Sequence, residues 1–179
     1  MKRLTISLLT VAAIAVTASP AFAQGHSQSR QGFWFSGGLG YGSLGCGGCG
    51  SRTGGLSGGL AFGATISPKF LLGVGTTGWT KSEQGTTLTV GTLDARVRFY
   101  PSTTGGFYLT GGFGIGSVSA MVSGFGSGSE MGLGFVLGLG YDIRVGSNVS
   151  LTPFWHGYAV QSSDVDANVG QLGLSITVH

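Results

Sequence analysis

From Glu130 to Val145 the chain alternates without a break. Met131, Leu133, Phe135, Leu137, Leu139, Tyr141, Ile143 and Val145 fall on one parity. Glu130, Gly132, Gly134, Val136, Gly138, Gly140, Asp142 and Arg144 fall on the other. A period of two is the mark of a β-strand with one apolar face. The pattern recurs where Phe107, Leu109, Phe113 and Ile115 interleave with Tyr108, Thr110, Gly112, Gly114 and Gly116. Val149, Leu151 and Trp155 interleave with Ser150, Thr152, His156 and Tyr158, and Leu172, Leu174, Ile176 and Val178 with Gln171, Gly173, Ser175, Thr177 and His179. Eight such segments are predicted, over roughly 31–45, 53–66, 70–80, 87–100, 106–119, 130–145, 149–161 and 168–179. A soluble sandwich would bury the apolar face and charge the other. Here the second face is mostly glycine, serine and threonine, which suits the confined interior of a barrel whose exterior meets lipid.

The expected fold is therefore all-β, an eight-stranded antiparallel up-and-down transmembrane β-barrel, which has no free edge to aggregate. The segment spacing fits spanning strands of about 9–11 residues with short joins. Ser67-Pro68-Lys69, Pro101 to Gly105 and Gly146-Ser147-Asn148 read as tight turns on the periplasmic side. The connections near Cys46–Arg52, Lys81–Gly85, Ala120–Ser129 and Ser162–Ala167 are expected to be the longer, outward-facing ones. Pro153 cannot donate a ladder hydrogen bond, so a bulge is expected there.

Residues 1–23 change the reckoning. Lys2 and Arg3, an apolar stretch from Leu4 to Val16 and Ala21-Phe22-Ala23 make a cleavable export signal, leaving residues 24–179 as the barrel domain. Without Lys2 and Arg3, seven basic residues face six acidic ones, a net charge of +1 that gives no case for nucleic acid. Only 8% of the 179 residues are charged and 37 are glycine, too few charges for the surface of an ordinary soluble domain. The expected location is the bacterial outer membrane.

Val97-Arg98-Phe99-Tyr100-Pro101, a short turn, and then Gly106-Phe107-Tyr108-Leu109-Thr110-Gly111-Gly112-Phe113-Gly114 resemble the proline-turn hairpin of small outer-membrane barrels of the OmpA and OmpX type. The resemblance spans nearly the whole mature chain. It implies a monomer, with outer-membrane lipids and lipopolysaccharide, periplasmic chaperones and the barrel-assembly machinery as partners. The chain departs from the family in closing its eighth strand on Ile176-Thr177-Val178-His179 rather than on an aromatic residue, and no peptidoglycan-binding domain is expected after that strand.

Few residues carry chemistry. Gly40-Tyr41-Gly42-Ser43-Leu44-Gly45 spells a dinucleotide loop, but no helical period follows it. Cys46 and Cys49 lie in an outer loop of an exported chain, where a local disulfide is the default. Free thiols and a metal or redox pair are the alternatives. Barrels that deacylate lipid A use a histidine near a serine on a late strand; here His156 has Tyr158 on its own face. Ser150 and Ser162 are about 20 Å away along the strand, beyond hydrogen-bond reach. No catalytic, cofactor or metal residue is expected. Asp94, Arg96 and Arg98 share one face of the fourth strand, and Glu130, Asp142 and Arg144 one face of the sixth. They are expected to form a lumenal charge network in which arginines brace carboxylates across the wall. The function expected is a non-enzymatic envelope barrel with a structural or surface-binding role. A small-solute channel or a lipid-modifying barrel is the alternative.

Overall fold

The structure, a computed structural model, describes residues 30–47, 50–124, 126–163 and 166–179. The export signal predicted over 1–23 lies outside them. Eight strands form: β1 (Phe33–Cys46), β2 (Thr53–Ser67), β3 (Phe70–Glu83), β4 (Thr86–Phe99), β5 (Phe107–Val122), β6 (Gly126–Tyr141, resumed at Ile143–Arg144), β7 (Val149–Gln161) and β8 (Asp166–Val178). Each pairs antiparallel with its sequence neighbour, and β1 pairs with β8 to close the barrel. Closure satisfies every strand edge internally, as a hydrocarbon surround demands.

The alternation read along the chain sets the two faces. Leu39, Leu56, Phe62, Leu93, Ile115, Leu137 and Leu172 are exposed on the outside. Phe33, Phe70, Phe99, Phe107 and Tyr141 gather near the end where both termini lie, an aromatic rim at a lipid–water boundary. The Phe70 and Phe99 rings stand 4.9 Å apart. Inside, Trp34, Leu71, Trp79, Val90, Tyr108 and Val160 are buried.

Two expectations are corrected. The connections over 81–85 and 120–129 are not long loops. β3 and β4 pair out to Glu83 and Thr86, joined by Gln84 and Gly85 alone. Both residues have positive φ, 50° and 79°, the geometry of a type I′ hairpin, whose twist matches that of its strands. β5 and β6 pair out to Val122 and Gly126, and the Ser123 N–H donates to the Gly85 carbonyl (2.9 Å), tying the two hairpin tips together. The β-branched residues Thr86, Thr87 and Thr89 extend the ladder beyond the apolar band. Second, Pro153 causes no bulge. β7 keeps one register against both β6 and β8 on either side of it. Lacking an N–H, Pro153 instead sits opposite Tyr141 at a gap in the β6–β7 ladder, while on the other side of β6 the Asp142 N–H donates to the Gly106 carbonyl (2.9 Å) and continues the β5–β6 register. Among the described residues the strand pairs shift register near the β2–β3 turn, between Thr65 and Ser67.

Glycine is what lets strands and lumenal side chains pack together. At the inward pair Gly63 and Gly73, a β-carbon on Gly63 would stand 2.5 Å from the Gly73 Cα and closer still to the Leu72 carbonyl. Gly78 on the outer face would meet nothing. We expect Gly63→Val to lower the urea midpoint of unfolding by the equivalent of about 2 kcal/mol, as overpacking does. Gly78→Val should leave it within about 0.5 kcal/mol. Heat-modifiable gel mobility across a urea series measures both.

Candidate functional site

Among the described residues the lumen concentrates the buried charged and polar side chains, and its filling falls into three levels. Toward the end with the short hairpins, Leu44, Trp79, Val90, Val136, Tyr158, Val160, Ala167 and Val169 form an apolar plug. Trp79 is held across it by its indole N–H donating to the Gly42 carbonyl (3.1 Å). Each of these residues sits on the inward parity, among glycines. A β-carbon at Gly42 would come within 2.7 Å of Trp79, and one at Gly116 within 2.6 Å of Val160.

Below the plug lies an ion pair. Arg96 donates from Nε to Asp94 Oδ1 (2.8 Å) and from Nη2 to Oδ2 (2.7 Å), a bidentate fork. Nη2 also donates to Thr77 Oγ1 (2.8 Å), and Thr92 Oγ1 donates to Asp94 Oδ2 (3.3 Å). The pair is 3% and 0% exposed. It fits because its flanking strands present Gly75 and Gly112. A β-carbon at Gly75 would strike the Arg96 guanidinium, and one at Gly112 the Asp94 carboxyl.

The third level closes the end that holds the termini. Asp142 Oδ2 accepts from the Tyr100 hydroxyl (2.9 Å), and Oδ1 accepts from Thr152 Oγ1 (2.7 Å). His179 Nε2 lies 3.2 Å from Asp142 Oδ2. Thr177 links Thr152 (3.1 Å) to Ser36 (3.0 Å), carrying the chain of hydroxyls from β7 through β8 to β1. Arg98 lies between two rings, its Cζ 4.5 Å from the Trp34 centroid and 4.8 Å from that of Tyr108. Arg30, ahead of β1, stacks 3.5 Å over the Tyr100 ring and donates to the Gly105 carbonyl (2.5 Å). Such cation–aromatic contacts strengthen as water is excluded.

The six charged residues singled out in the sequence therefore do not act as one network. Asp94 and Arg96 pair within β4, two residues apart, rather than across the wall. Asp142 accepts from the Tyr100 and Thr152 hydroxyls and lies beside His179, while Arg98 rests against aromatic faces. Glu130 is exposed, twelve residues up β6 from Asp142 and about 40 Å along the strand. Arg144 is half-buried and reaches the Ser147 carbonyl in its own turn (2.5 Å). Sequence reasoning missed Arg30, Tyr100, Thr152 and His179. The available signal was scarcity: in a chain with so few charges, each one near a strand end is a candidate for the lumen. His156 points inward, stacked on Phe154 with ring centroids 4.5 Å apart. No serine is its hydrogen-bond partner, and the described residues contain no group of three or more histidine, cysteine or acidic residues that could hold a metal. Cys46 is disulfide-bonded, while Cys49 lies outside the described residues.

Two measurements follow. Asp94→Asn strands the buried Arg96 charge and should cost about 3–5 kcal/mol in urea unfolding, against under about 0.5 kcal/mol for Glu130→Gln. Asp142→Asn keeps the shape but weakens three contacts, and about 2–3 kcal/mol is expected. Equal, near-zero shifts in all three would contradict the buried pairs. For the loop, a maleimide reagent applied to intact cells should label neither cysteine until a reductant is added.

The sequence profile described as outer membrane protein beta-barrel domain matches residues 9–177. No curated protein matches the chain by sequence. Solved structures share its fold. Neisserial surface protein A (NspA) superposes with a TM-score of 0.62 at 18% identity, covering 84% of this chain and 99% of that one. Ail, the attachment invasion locus protein of Yersinia pestis, gives 0.61 at 14% identity over 83% and 99%. The N-terminal barrel domain of Pseudomonas aeruginosa OprF gives 0.52 at 12% identity over 84% and 99%. With eight closed strands, an apolar exterior and a filled lumen, this chain belongs to the outer membrane protein β-barrel domain family.

Proposed function

We propose that this protein is a closed, non-catalytic envelope barrel that braces the outer membrane and presents a rigid surface outside it. The observation that carries this reading is the filling of the lumen at all three levels, from Trp79 and Val160 through Arg96 and Asp94 to Tyr100 and Arg30. Eight strands leave an interior just wide enough for side chains, and here bulky ones occupy it. A solute would have to displace an apolar plug and a dehydrated ion pair together.

The outward role rests on the hairpins. β3 to β6 rise past the apolar band as a continuous sheet rather than as loose loops. Thr80 pairs with Thr89 (3.3 Å) and Ser82 with Thr87 (2.8 Å), so the raised face carries rows of hydroxyls. The Lys81–Glu83 pair beside them (2.6 Å) is 34% and 66% exposed and contributes little stability. Ail, which shares the fold, is by name an attachment and invasion protein, and one of its structures holds the heparin analogue sucrose octasulfate. That precedent supports surface binding as the role here.

Planar-bilayer recording should show no discrete conductance steps from the purified barrel, and lipid A mass should not change on its expression. Reproducible steps would replace this reading with a channel, and a mass change would replace it with an enzyme.

A further inference from the structure

Two grooves on the outer wall differ in one respect. The first, about 880 Å³, crosses the lipid-facing side from β8 to β4. Its floor is Gly170, Gly157 and Gly111, and its flanks include Trp155, Phe135 and Phe113. Gly170 and Gly157 face each other in the β7–β8 ladder, and Leu137 pairs with both Gly157 and Gly111. These residues form one row of the sheet, in which the exposed Leu137 stands between Gly157 and Gly111. From Gly170 on β8 to Val97 on β4 the four strand spacings take the groove about 19 Å around the wall, the reach of a long acyl chain. The second groove, about 380 Å³, lies over Gly58 and Gly78 beside Thr76, Thr80 and Thr89, and no basic residue lines it.

At the β8 end of the first groove stands Arg52. Its side chain leaves the start of β2, crosses the outer face of β1 over Gly45 and reaches β8. Nε donates to Ser43 Oγ (3.1 Å), Nη1 to Asn168 Oδ1 (2.7 Å) and Nη2 to the Ser43 carbonyl (2.5 Å) and more weakly to the Asn168 carbonyl (3.4 Å). All these acceptors are neutral. Among the described residues no carboxylate lies within ion-pair distance of Arg52, Asp166 on the next outward position of β8 included. Among the described residues the guanidinium is thus fixed in place with no carboxylate partner and one Nη1 N–H without an acceptor. Because Asn168 Oδ1 accepts from Arg52, the Asn168 amide N–H groups are not taken up by that contact. This cation stands two positions above Tyr41 and Leu172, the last apolar side chains of the band on β1 and β8, at headgroup height on the side away from the termini.

From a fixed cation with no carboxylate partner among the described residues, above an apolar groove floored mostly by glycine, we infer a binding site for one phosphorylated, multiply acylated glycolipid of the outer leaflet. A headgroup phosphate would sit on Arg52 and Asn168, and an acyl chain would lie along Gly170, Gly157 and Gly111. The charge selects an anionic headgroup, and the missing side chains shape the chain's path. The inference rests on the outer-membrane barrel reading, since only there does that end of the groove face the glycolipid leaflet.

The test is native mass spectrometry of the detergent-extracted barrel offered diphosphorylated lipid A, dephosphorylated lipid A, phosphatidylglycerol or phosphatidylethanolamine. Diphosphorylated lipid A should be retained above the other three. Arg52→Gln should lower its retention about tenfold, the loss of one charged contact, while leaving the dephosphorylated form unchanged. Gly157→Leu, which fills the floor, should lower both, and Gly78→Leu in the second groove should lower neither. Retention unaffected by Arg52→Gln, or phosphatidylglycerol held as well as lipid A, would overturn the site. Heat-modifiable mobility of each variant is read in parallel. A protein that retains that mobility but shows no lipid preference refutes the glycolipid site alone, whereas loss of the mobility in the unaltered protein refutes the barrel itself.

Discussion

Arg96 occupies the space that a β-carbon on Gly75 would need, and Asp94 the space of one on Gly112. The same exchange of small for large recurs through the lumen. Tyr108 leans over Gly140, His156 over Gly138, Phe154 over Gly173 and Trp79 over Gly42 and Gly55. A closed eight-stranded barrel has a fixed and narrow interior, so every bulky inward side chain must be matched by an absent one on a neighbouring strand. Glycine interior to a strand is ordinarily destabilising. Here closure offsets that, because the ladder hydrogen bonds cannot be exchanged for water inside a bilayer.

From this fit follows the division of the lumen. Apolar side chains pack against each other at one end, where no acceptor is needed. The Asp94–Arg96 fork sits below them, dehydrated and satisfied in two directions. The other end carries a mixed layer in which hydroxyls and a histidine hold Asp142, while Arg98 and Arg30 rest on aromatic faces. Arg96 is answered by a carboxylate, whereas Arg98 rests on ring faces with its Nε and Nη1 lacking a hydrogen-bond partner. The barrel is in this sense a folded core turned inside out, with polar interactions within and apolar surface without.

The outer ends follow a different logic. Above the apolar band the strands continue as paired hairpins because threonine favours the ladder and the Gln84-Gly85 turn twists with it. The backbone tie from Ser123 to Gly85 joins two hairpins into one sheet. Among the described residues this raised face is a continuous paired sheet, and its polar character comes mostly from hydroxyls.

The sequence by itself determined the strand count, the faces and the class of fold, because a period of two and a lipid-facing apolar row are local properties that survive any arrangement of the strands. Inward placement of Asp94, Arg96, Arg98 and Asp142 was legible for the same reason: parity is counted along one strand. Partnership was not. Whether Arg98 meets a carboxylate or an aromatic ring depends on the tilt and stagger that bring Trp34 and Tyr108 to its level, and no single strand encodes that. Glu130 shares Asp142's parity yet stands far above it, since parity says nothing of depth. Arg30 and His179, at the two ends of the described chain, meet through Tyr100 and Asp142 only because closure brings β1 and β8 together. The short outer hairpins were hidden by their polarity, which reads as loop until a paired neighbour makes it strand. Cross-strand distance is set by the closed barrel, and so the tertiary structure alone decided which charges touch.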